Sequence, residues 1–193
     1  MQPVSRKAPS VVVILLAAGR GERFKASGAQ VDKLNAPLAG VRVRDHVLRS
    51  VQASGLPWHI VEREHTQHLA QPGMGDSIAS GVAATAGAQG WLILPADLPL
   101  VRPATLLAVA QALRQHPVVV PWYQGEKGHP VGFDASCGDA LQALRGDGGA
   151  RSVVAQRGAW RLEVSDRGAV LDVDTLDALA QAEVLLQRPA PQI

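Results

Sequence analysis

The stretch VVVILLAAGRGERF, Val11–Phe24, decides the fold class of this chain. Its first six residues are all apolar, and four of them are β-branched. An unbroken run of this kind is typical of a strand that is buried on both faces of a parallel sheet. The run passes directly into a turn of small residues that carries Gly19, Arg20, Gly21 and Arg23. We therefore expect a first strand over 11–16 that delivers a glycine-rich turn to one edge of the sheet.

This turn is a candidate phosphate-binding loop. Glycines let backbone N–H groups approach phosphate oxygens, and arginine adds bidentate pairing. The turn lacks the Gly-Lys-Ser/Thr of a P-loop, and Phe24 stands where the dinucleotide fingerprint has its third glycine. That difference disfavours a nicotinamide oxidoreductase. The alternative interpretation is a tight strand-to-helix turn with solvated arginines.

The composition indicates one globular domain. The chain has 193 residues, is 47% hydrophobic and carries a formal net charge of +2. Basic residues form no block or stripe, so we expect no nucleic-acid partner. The only cysteine, Cys137, permits no internal disulfide and fits a reducing cytoplasm. The apolar run over 11–18 is too short to span a membrane, so we interpret it as a strand and expect no membrane partner.

Apolar patterning predicts alternating strands and helices. Strands are expected over 11–16, 58–63, 91–97, 118–122, 129–133, 160–164 and 169–173, and helices over 45–53, 75–87, 103–115, 135–144, 149–156 and 175–187. Such alternation predicts an α/β three-layer sandwich, in which a mostly parallel, Rossmann-like sheet has helices on both faces. Ligands of such sheets bind beyond the carboxyl ends of the strands.

Three acidic residues lie at predicted strand ends. Asp97 follows the strand over 91–97 between two prolines, where a carboxylate is well placed to hold Mg²⁺ together with phosphate oxygens and water. Asp172 and Asp174 alternate in LDVDTLDAL, so they could share a cation, although we favour Asp174 as the N-cap of the last helix. Lys33 is a compact charge that suits a triphosphate, or else an ordinary surface lysine.

Other glycine-rich and histidine-bearing segments have two interpretations each. QPGMGDSIASG, over 71–81, allows close approach to a base or sugar, or close helix packing. His129 precedes a proline at a strand start, and GDGGAR, over 146–151, leads into a helix N-terminus with Arg151 in its first turn. The histidines over 59–68 lack a zinc spacing and indicate a solvated edge.

Taken in order, six motifs resemble one known family. LAAGRGERF…DK, GMGDSIASG, LPADLPLV, GHPVGF, GDGGAR and LDVDTLDAL follow one another as in the molybdenum-cofactor nucleotidyltransferases. The match runs from about residue 11 to 180 and is most similar to the CTP:molybdopterin cytidylyltransferases, which have an alanine where this chain has Ala18. The resemblance implies a nucleotide-diphospho-sugar transferase-like fold with one domain over 11–187. The residues on either side of it, 1–10 and the Pro-rich 188–193, are expected to be flexible tails.

The resemblance also implies residue roles. It implies Mg²⁺ on Asp97. We expect Asp172 to join it as a second ligand, and Arg20, Lys33 and Asp97 to carry catalysis. The acceptor would lie near His129, Pro130, Gly149 and Arg151. The nucleotide would contact Leu16, Ala17, Ala18, Gly19, Arg20, Gly21, Lys33, Gln71, Gly73, Met74, Gly75 and Ser77.

The implied reaction moves CMP, or less readily GMP, from the triphosphate onto the terminal phosphate of molybdopterin and releases pyrophosphate. The cofactor would then pass to a molybdoenzyme. Two features depart from the family: the link over 25–32, KASGAQVD, is longer, and VEREHTQHLAQ replaces the usual strand and loop. Two alternatives therefore stay open, which are a sugar- or polyol-phosphate acceptor and a molybdopterin-binding chaperone without catalysis.

Overall fold

The computed structural model describes residues 10–67, 69 and 72–187. Gln71, among the expected nucleotide contacts, lies outside the described residues, as do the expected tails apart from Ser10. Within the described part of the chain, no helix is both long enough and apolar enough to cross a membrane.

A seven-stranded mixed sheet forms the centre of the molecule, with a separate two-stranded ribbon beside it. Their strands are β1 (Val11–Leu16), β2 (Pro37–Leu38), β3 (Val41–Arg42), β4 (Trp58–Val61), β5 (Gly90–Pro95), β6 (Val118–Tyr123), β7 (Glu126–Lys127), β8 (Val131–Asp134) and β9 (Trp160–Glu163). The order in the main sheet is β4-β1-β5-β8-β6-β7, and β9 pairs with β6. Strands β1, β4, β5, β6 and β9 run in one direction, while β7 and β8 run against them. The predicted mostly parallel sheet is confirmed.

Helices cover both faces of this sheet. They are α1 (Glu22–Ala26), α2 (Val43–Ser54), α3 (Met74–Ala84), α4 (Pro103–Ala112), α5 (Gly138–Gln142), α6 (Arg151–Arg157) and α7 (Leu176–Gln187). Residues of α2 and α4 share one buried cluster, and residues of α3, α5 and α6 share the other. The three-layer α/β fold is therefore confirmed.

The buried run of β1 explains why the sheet is covered on both sides. Val13 and Leu15 belong to the cluster under α2 and α4, whereas Ile14 belongs to the cluster under α3. Because successive side chains of a strand point to opposite faces, an unbroken apolar strand requires a helical layer on each. Each fully buried aliphatic side chain contributes about 1.5–3 kcal/mol. Gly81 lets α3 pack closely on β1, since a Cβ there would lie 2.5 Å from Ile14 Cγ2.

The segment 169–173 is not the strand that its apolar pattern predicts. Arg167–Ala169 forms a 3₁₀ turn, and the chain then runs as a loop in which Val173 N–H donates to the Asp97 carbonyl at 2.9 Å. Alternating apolar residues favour a strand only where a partner strand is free. Here they instead pack into the small cluster beside α7, which includes Val173 and Ala182.

Asp174 is not the N-cap of the last helix. Thr175 caps α7, because its Oγ1 accepts a hydrogen bond from the backbone N–H of Ala178 at 3.1 Å. The carboxylate of Asp174 is thereby free to point away from the helix.

Candidate active site

The candidate site lies where the strand order reverses. After β1 the chain crosses through α2 to β4 on one side, and then through α3 to β5 on the other side of β1. In open α/β sheets, ligands bind at such a point beyond the carboxyl ends of the strands. Leu16 and Pro95, the last residues of β1 and β5, lie side by side, and Ala96 N–H donates to the Leu16 carbonyl at 3.0 Å. The chain segments that carry the glycine loop and Asp97 therefore start next to each other.

The glycine loop over 17–21 is open at one residue and packed at another. A Cβ on Gly19 would meet nothing within 4 Å. Gly21 has a left-handed backbone with φ 63°, and a Cβ there would lie 3.3 Å from Lys33 Cβ. Thus Gly21 allows Lys33 to pack against the loop, and Gly19 leaves its own backbone accessible.

Arg63 connects the glycine loop with the segment over 25–32 that precedes Lys33. Its Nη2 donates to the Gly19 carbonyl at 2.6 Å and to Asp32 Oδ2 at 3.2 Å. Asp32 in turn caps the 3₁₀ turn Lys33–Asn35, because its Oδ1 accepts from the Leu34 N–H at 3.1 Å. Sequence reasoning missed Arg63, although its place just after β4, at the same sheet edge, was a usable signal.

Lys33 lies between two carboxylates that are far apart in sequence. Its Nζ donates to Asp97 Oδ2 and to Asp174 Oδ1, each at 2.6 Å. Its side chain is only 12% exposed. Burial alone would lower the pKa of Lys33, but the charges and hydrogen bonds of Asp97 and Asp174 raise it above the usual value, so the ammonium stays protonated.

Asp172 is a third carboxylate, close to Asp97 and Asp174. Burial, together with the charges of Asp174 and Asp97, raises the pKa of Asp172. Burial would also raise the pKa of Asp174, but the hydrogen bond and charge of Lys33, with the charge of Arg23, lower it. Asp97 Oδ1 is buried and has no hydrogen-bond partner. Because an unsatisfied carboxylate oxygen is costly in a buried site, this oxygen is available to a cation or a donor.

Two arginines of the glycine segment have different surroundings. Arg23 forms an ion pair with Asp174 Oδ2. Arg20 is mostly exposed and lies 4.0 Å from Glu22. The structure therefore brings Lys33, Arg23, Asp97, Asp172 and Asp174 together, and leaves Arg20 at the rim.

His129 lies close enough to the carboxylate cluster for the charge of Asp97 to act on it. Its backbone N–H donates to the Ala169 carbonyl at 2.8 Å, and its ring Nδ1 is buried without a hydrogen-bond partner. Burial lowers the pKa of His129, although the charge of Asp97 and a hydrogen bond with the Ile93 backbone oppose that shift. The peptide bond to Pro130 is cis.

We expect His129 to make stability depend on pH. Its lowered pKa means that the unfolded chain takes up a proton near pH 6.5, whereas the native state resists it. The free energy of unfolding should therefore fall as pH falls below about 6.5, and His129→Gln should reduce that slope. Urea denaturation across this range measures it. His116→Gln, at a partly exposed histidine stacked on Trp160, is the control for the loss of an imidazole elsewhere in the fold. An equal slope in the His129 variant would contradict the expectation.

The glycines at the start of α3 face protein backbone. A Cβ on Gly73 would lie 2.2 Å from the carbonyl carbon of Gly146, and one on Gly75 would lie 3.0 Å from the Arg145 backbone. Asp76 locks this contact, because its Oδ2 accepts from the N–H groups of Gly73 at 2.9 Å and Gly146 at 2.8 Å. These hydrogen bonds lower the pKa of Asp76. The two glycines thus permit close helix–loop packing.

The remaining predicted residues lie along the same loop–helix contact. Ser77 is buried, and its Oγ donates to the Gly73 carbonyl at 3.2 Å. Gly149 has φ 55°, and a Cβ there would lie 2.9 Å from Met74 Sδ. Met74 is 48% exposed, and Arg151 is an exposed residue at the start of α6.

An open depression of about 300 Å³ lies beside α3, lined among others by His65, Asp76, Ser80 and Arg145. It does not include Asp97, Lys33 or the glycine loop. The carboxylate cluster is thus a separate feature, and its position at the strand ends and its charges, not cavity size, make it the candidate chemical centre.

Fold and site together define a nucleotidyltransferase: a glycine loop and a lysine meet a strand-end carboxylate at the switch point of an α/β sheet. Residues 13–161 match the MobA-like NTP transferase domain, and the chain belongs to that family. Enzymes of this kind bind a nucleoside triphosphate and an acceptor, and typically depend on a divalent metal ion.

Individual relatives agree with this assignment. The chain is 32% identical to the purine catabolism protein PucB of Bacillus subtilis, over 88% of this chain and 94% of that protein. Rv0371c of Mycobacterium tuberculosis has a TM-score of 0.73 at 22% identity, covering 91% of this chain and 98% of its own. Molybdopterin-guanine dinucleotide biosynthesis protein A of Archaeoglobus fulgidus has a TM-score of 0.69 at 17% identity, with coverages of 91% and 98%. The two structural likenesses concern the fold alone.

Proposed function

We propose that this nucleotidyltransferase moves CMP from CTP onto the terminal phosphate of molybdopterin, with Mg²⁺ as the cation and pyrophosphate as the second product. One observation carries the proposal: Lys33, Asp97 and Asp174 meet at the mouth of the glycine loop, with Nζ 2.6 Å from each carboxylate. A metal–triphosphate complex requires cationic groups for its phosphates and carboxylates for its metal ion, and both kinds of group lie together at the carboxyl ends of the strands.

The triphosphate is held on the cationic side of the site. Backbone N–H groups around Gly19 and Gly21, together with Arg20, Lys33 and Arg23, supply donors for the phosphate oxygens. Exposed Arg20 can turn toward a ligand, Arg23 can do so by leaving Asp174, and the ammonium group of Lys33 can do so by rotation of its side chain. These groups neutralise the charge that grows on pyrophosphate as it leaves.

The cation is held by carboxylates. Asp97, with its unpartnered buried oxygen, and Asp174 are the candidate ligands, and Asp172 lies beside them. Among the described residues no three acidic, histidine or cysteine side chains converge into a complete ligand set. Mg²⁺ takes one or two carboxylates and completes its shell with phosphate oxygens and water, so two of these acids are enough to hold it. When bound, it would neutralise phosphate charge and align the reacting groups.

Catalysis in this proposal is mostly positioning. An oxygen of the acceptor's terminal phosphate forms a bond to the α-phosphorus, the bond from that phosphorus to the bridging oxygen breaks, and pyrophosphate leaves with the electron pair. Holding both phosphates in line converts a bimolecular encounter into a local step. The protein forms no covalent intermediate.

The nucleotide base and ribose are assigned to the start of α3, and the acceptor to the segments around His129 and Arg151. Gln71, Met74 and Ser77 are proposed on the base side, with the glycines of that helix start. Pro130 and Gly149 complete the acceptor side. The choice of CTP is supported by Ala18, and the choice of a pterin acceptor by the order of the six sequence motifs, which resembles that of the molybdenum-cofactor nucleotidyltransferases.

Pyrophosphate release tests the proposal. The purified chain is incubated with CTP, GTP or ATP, each with and without Mg²⁺, and with molybdopterin or a sugar or polyol phosphate as acceptor. We expect release with CTP, Mg²⁺ and molybdopterin, and calorimetry should show CTP binding more tightly than GTP or ATP. Release with a sugar or polyol phosphate alone would contradict the pterin acceptor. Molybdopterin binding without any release would contradict catalysis and favour the chaperone.

A further inference from the structure

Lys33 occupies the position that a cation would need between Asp97 and Asp174. Its Nζ lies 2.6 Å from one oxygen of each carboxylate. The side chains of the three residues are 12%, 17% and 15% exposed, so little water screens them from one another. The lysine, together with Arg23 on the other oxygen of Asp174, thus balances the charge of the two carboxylates when no other ligand is present.

Lys33 and a divalent cation cannot both use these oxygens. Mg²⁺ and similar ions bind carboxylate oxygens at about 2.0–2.1 Å, closer than the present ammonium contacts. An ammonium group left in the same partly buried site would face a doubly charged neighbour at a few ångströms, where repulsion is strong. The same repulsion acts on an ion at the unpartnered Oδ1 of Asp97, so tight binding at either carboxylate requires Nζ to move out.

The backbone and Cβ of Lys33 are held in place, so its ammonium group can reach few positions. Lys33 Cβ packs against Gly21, and the 3₁₀ turn that carries it is capped by Asp32. Only the distal part of the chain can swing, and the nearby glycine loop is open at Gly19. The loop offers N–H groups there, which cannot bind an ammonium. An anion on that loop, such as a triphosphate, would provide the partner that Nζ lacks.

We propose that Lys33 keeps divalent cations off Asp97 and Asp174 until the phosphates of a nucleotide draw its ammonium group away. The metal ion and the triphosphate then bind together, and the metal alone binds weakly. This inference rests on the proposed function, because it assigns the anion to the nucleotide. It makes Lys33 a positioning residue for the cation as well as a phosphate ligand.

Metal binding without catalysis tests this directly. Mn²⁺ alone is titrated into the wild-type chain and into Lys33→Met, with binding followed by electron paramagnetic resonance. We expect Lys33→Met to bind Mn²⁺ at least about tenfold more tightly than wild type, because the competing charge is gone while the carboxylates remain. Thermal unfolding with and without Mn²⁺ gives a second measure: the metal should raise the Tm of the variant more than that of wild type.

Three controls make the result specific. Arg42→Met removes one positive charge from an exposed pair with Asp45 and should bind Mn²⁺ like wild type. Lys33→Arg keeps a cation between the carboxylates and should also resemble wild type. Adding Asp97→Asn to Lys33→Met should abolish the gain, which locates the ion. Should Lys33→Met fail to fold, Lys33→Gln repeats the test with a neutral polar side chain.

The second experiment asks whether a nucleotide allows the wild-type chain to bind the metal ion. Adding a non-hydrolysable CTP analogue should create an enzyme-bound Mn²⁺ signal, which water-proton relaxation separates from the free metal–nucleotide complex. Mn²⁺ binding to nucleotide-free wild type as tight as to Lys33→Met would overturn the inference. A gain in the variant with no effect of any nucleotide on wild type would support exclusion by Lys33 and contradict the proposed function.

Discussion

Replacement of Asp97 by alanine is expected to lower turnover by about 10²-fold or more while the fold persists. Asp97 contributes the unpartnered buried oxygen of the cluster and one of the two carboxylates around Lys33. In the proposed mechanism its loss removes a ligand from the cation and leaves Lys33 paired with Asp174 alone. Because the proposed reaction depends on charge neutralisation, we expect loss of this group to raise the barrier more than it weakens binding. Pyrophosphate release under saturating CTP and Mg²⁺ measures the effect.

A matched control separates charge from position. Asp139→Ala removes an exposed carboxylate from the first turn of α5, away from the strand ends, and should keep wild-type turnover. Circular dichroism and Tm of both variants show whether the fold is retained. Turnover of Asp97→Ala close to that of wild type, in a folded protein, would refute the assignment of Asp97 to the catalytic centre.

Gly73→Ala is expected to destabilise the protein by about 1–3 kcal/mol, the usual cost of overpacking a tight contact. The added methyl group would lie 2.2 Å from the Gly146 carbonyl carbon and 2.4 Å from its oxygen, so the helix start or the facing loop must shift. That shift also strains the hydrogen bonds of Asp76 to Gly73 and Gly146. Urea denaturation measures the change in the free energy of unfolding.

Gly148→Ala is the control for this prediction. Gly148 belongs to the same loop, but a Cβ there would meet nothing within 4 Å. We expect its stability to stay within about 0.5 kcal/mol of wild type, as for other surface substitutions. If Gly73→Ala were as stable as Gly148→Ala and instead only weakened CTP binding, the ligand-contact interpretation of this glycine would replace the packing one.

Local patterns in the sequence were sufficient for most of the fold. The apolar runs of β1 and β5 predicted buried strands because only a sheet covered on both faces needs them. These two strands also predicted that the glycine loop and Asp97 lie at the same edge of the sheet, because the carboxyl ends of parallel strands meet there. The pattern over 169–173 was misleading, because the same alternation satisfies a loop packed against α7, and strand formation depends on a partner that the segment itself does not contain.

The sequence by itself determined the α/β fold, the glycine turn after β1 and the acid after β5, since each follows from the polarity and size of consecutive residues. Only the tertiary structure decided that Lys33 and Asp174, which lie 141 residues apart, share a hydrogen bond, and that Arg63 reaches Gly19. It also decided that Thr175 caps α7. Contacts between distant segments depend on how helices and loops pack against the sheet, and no local spacing records that packing.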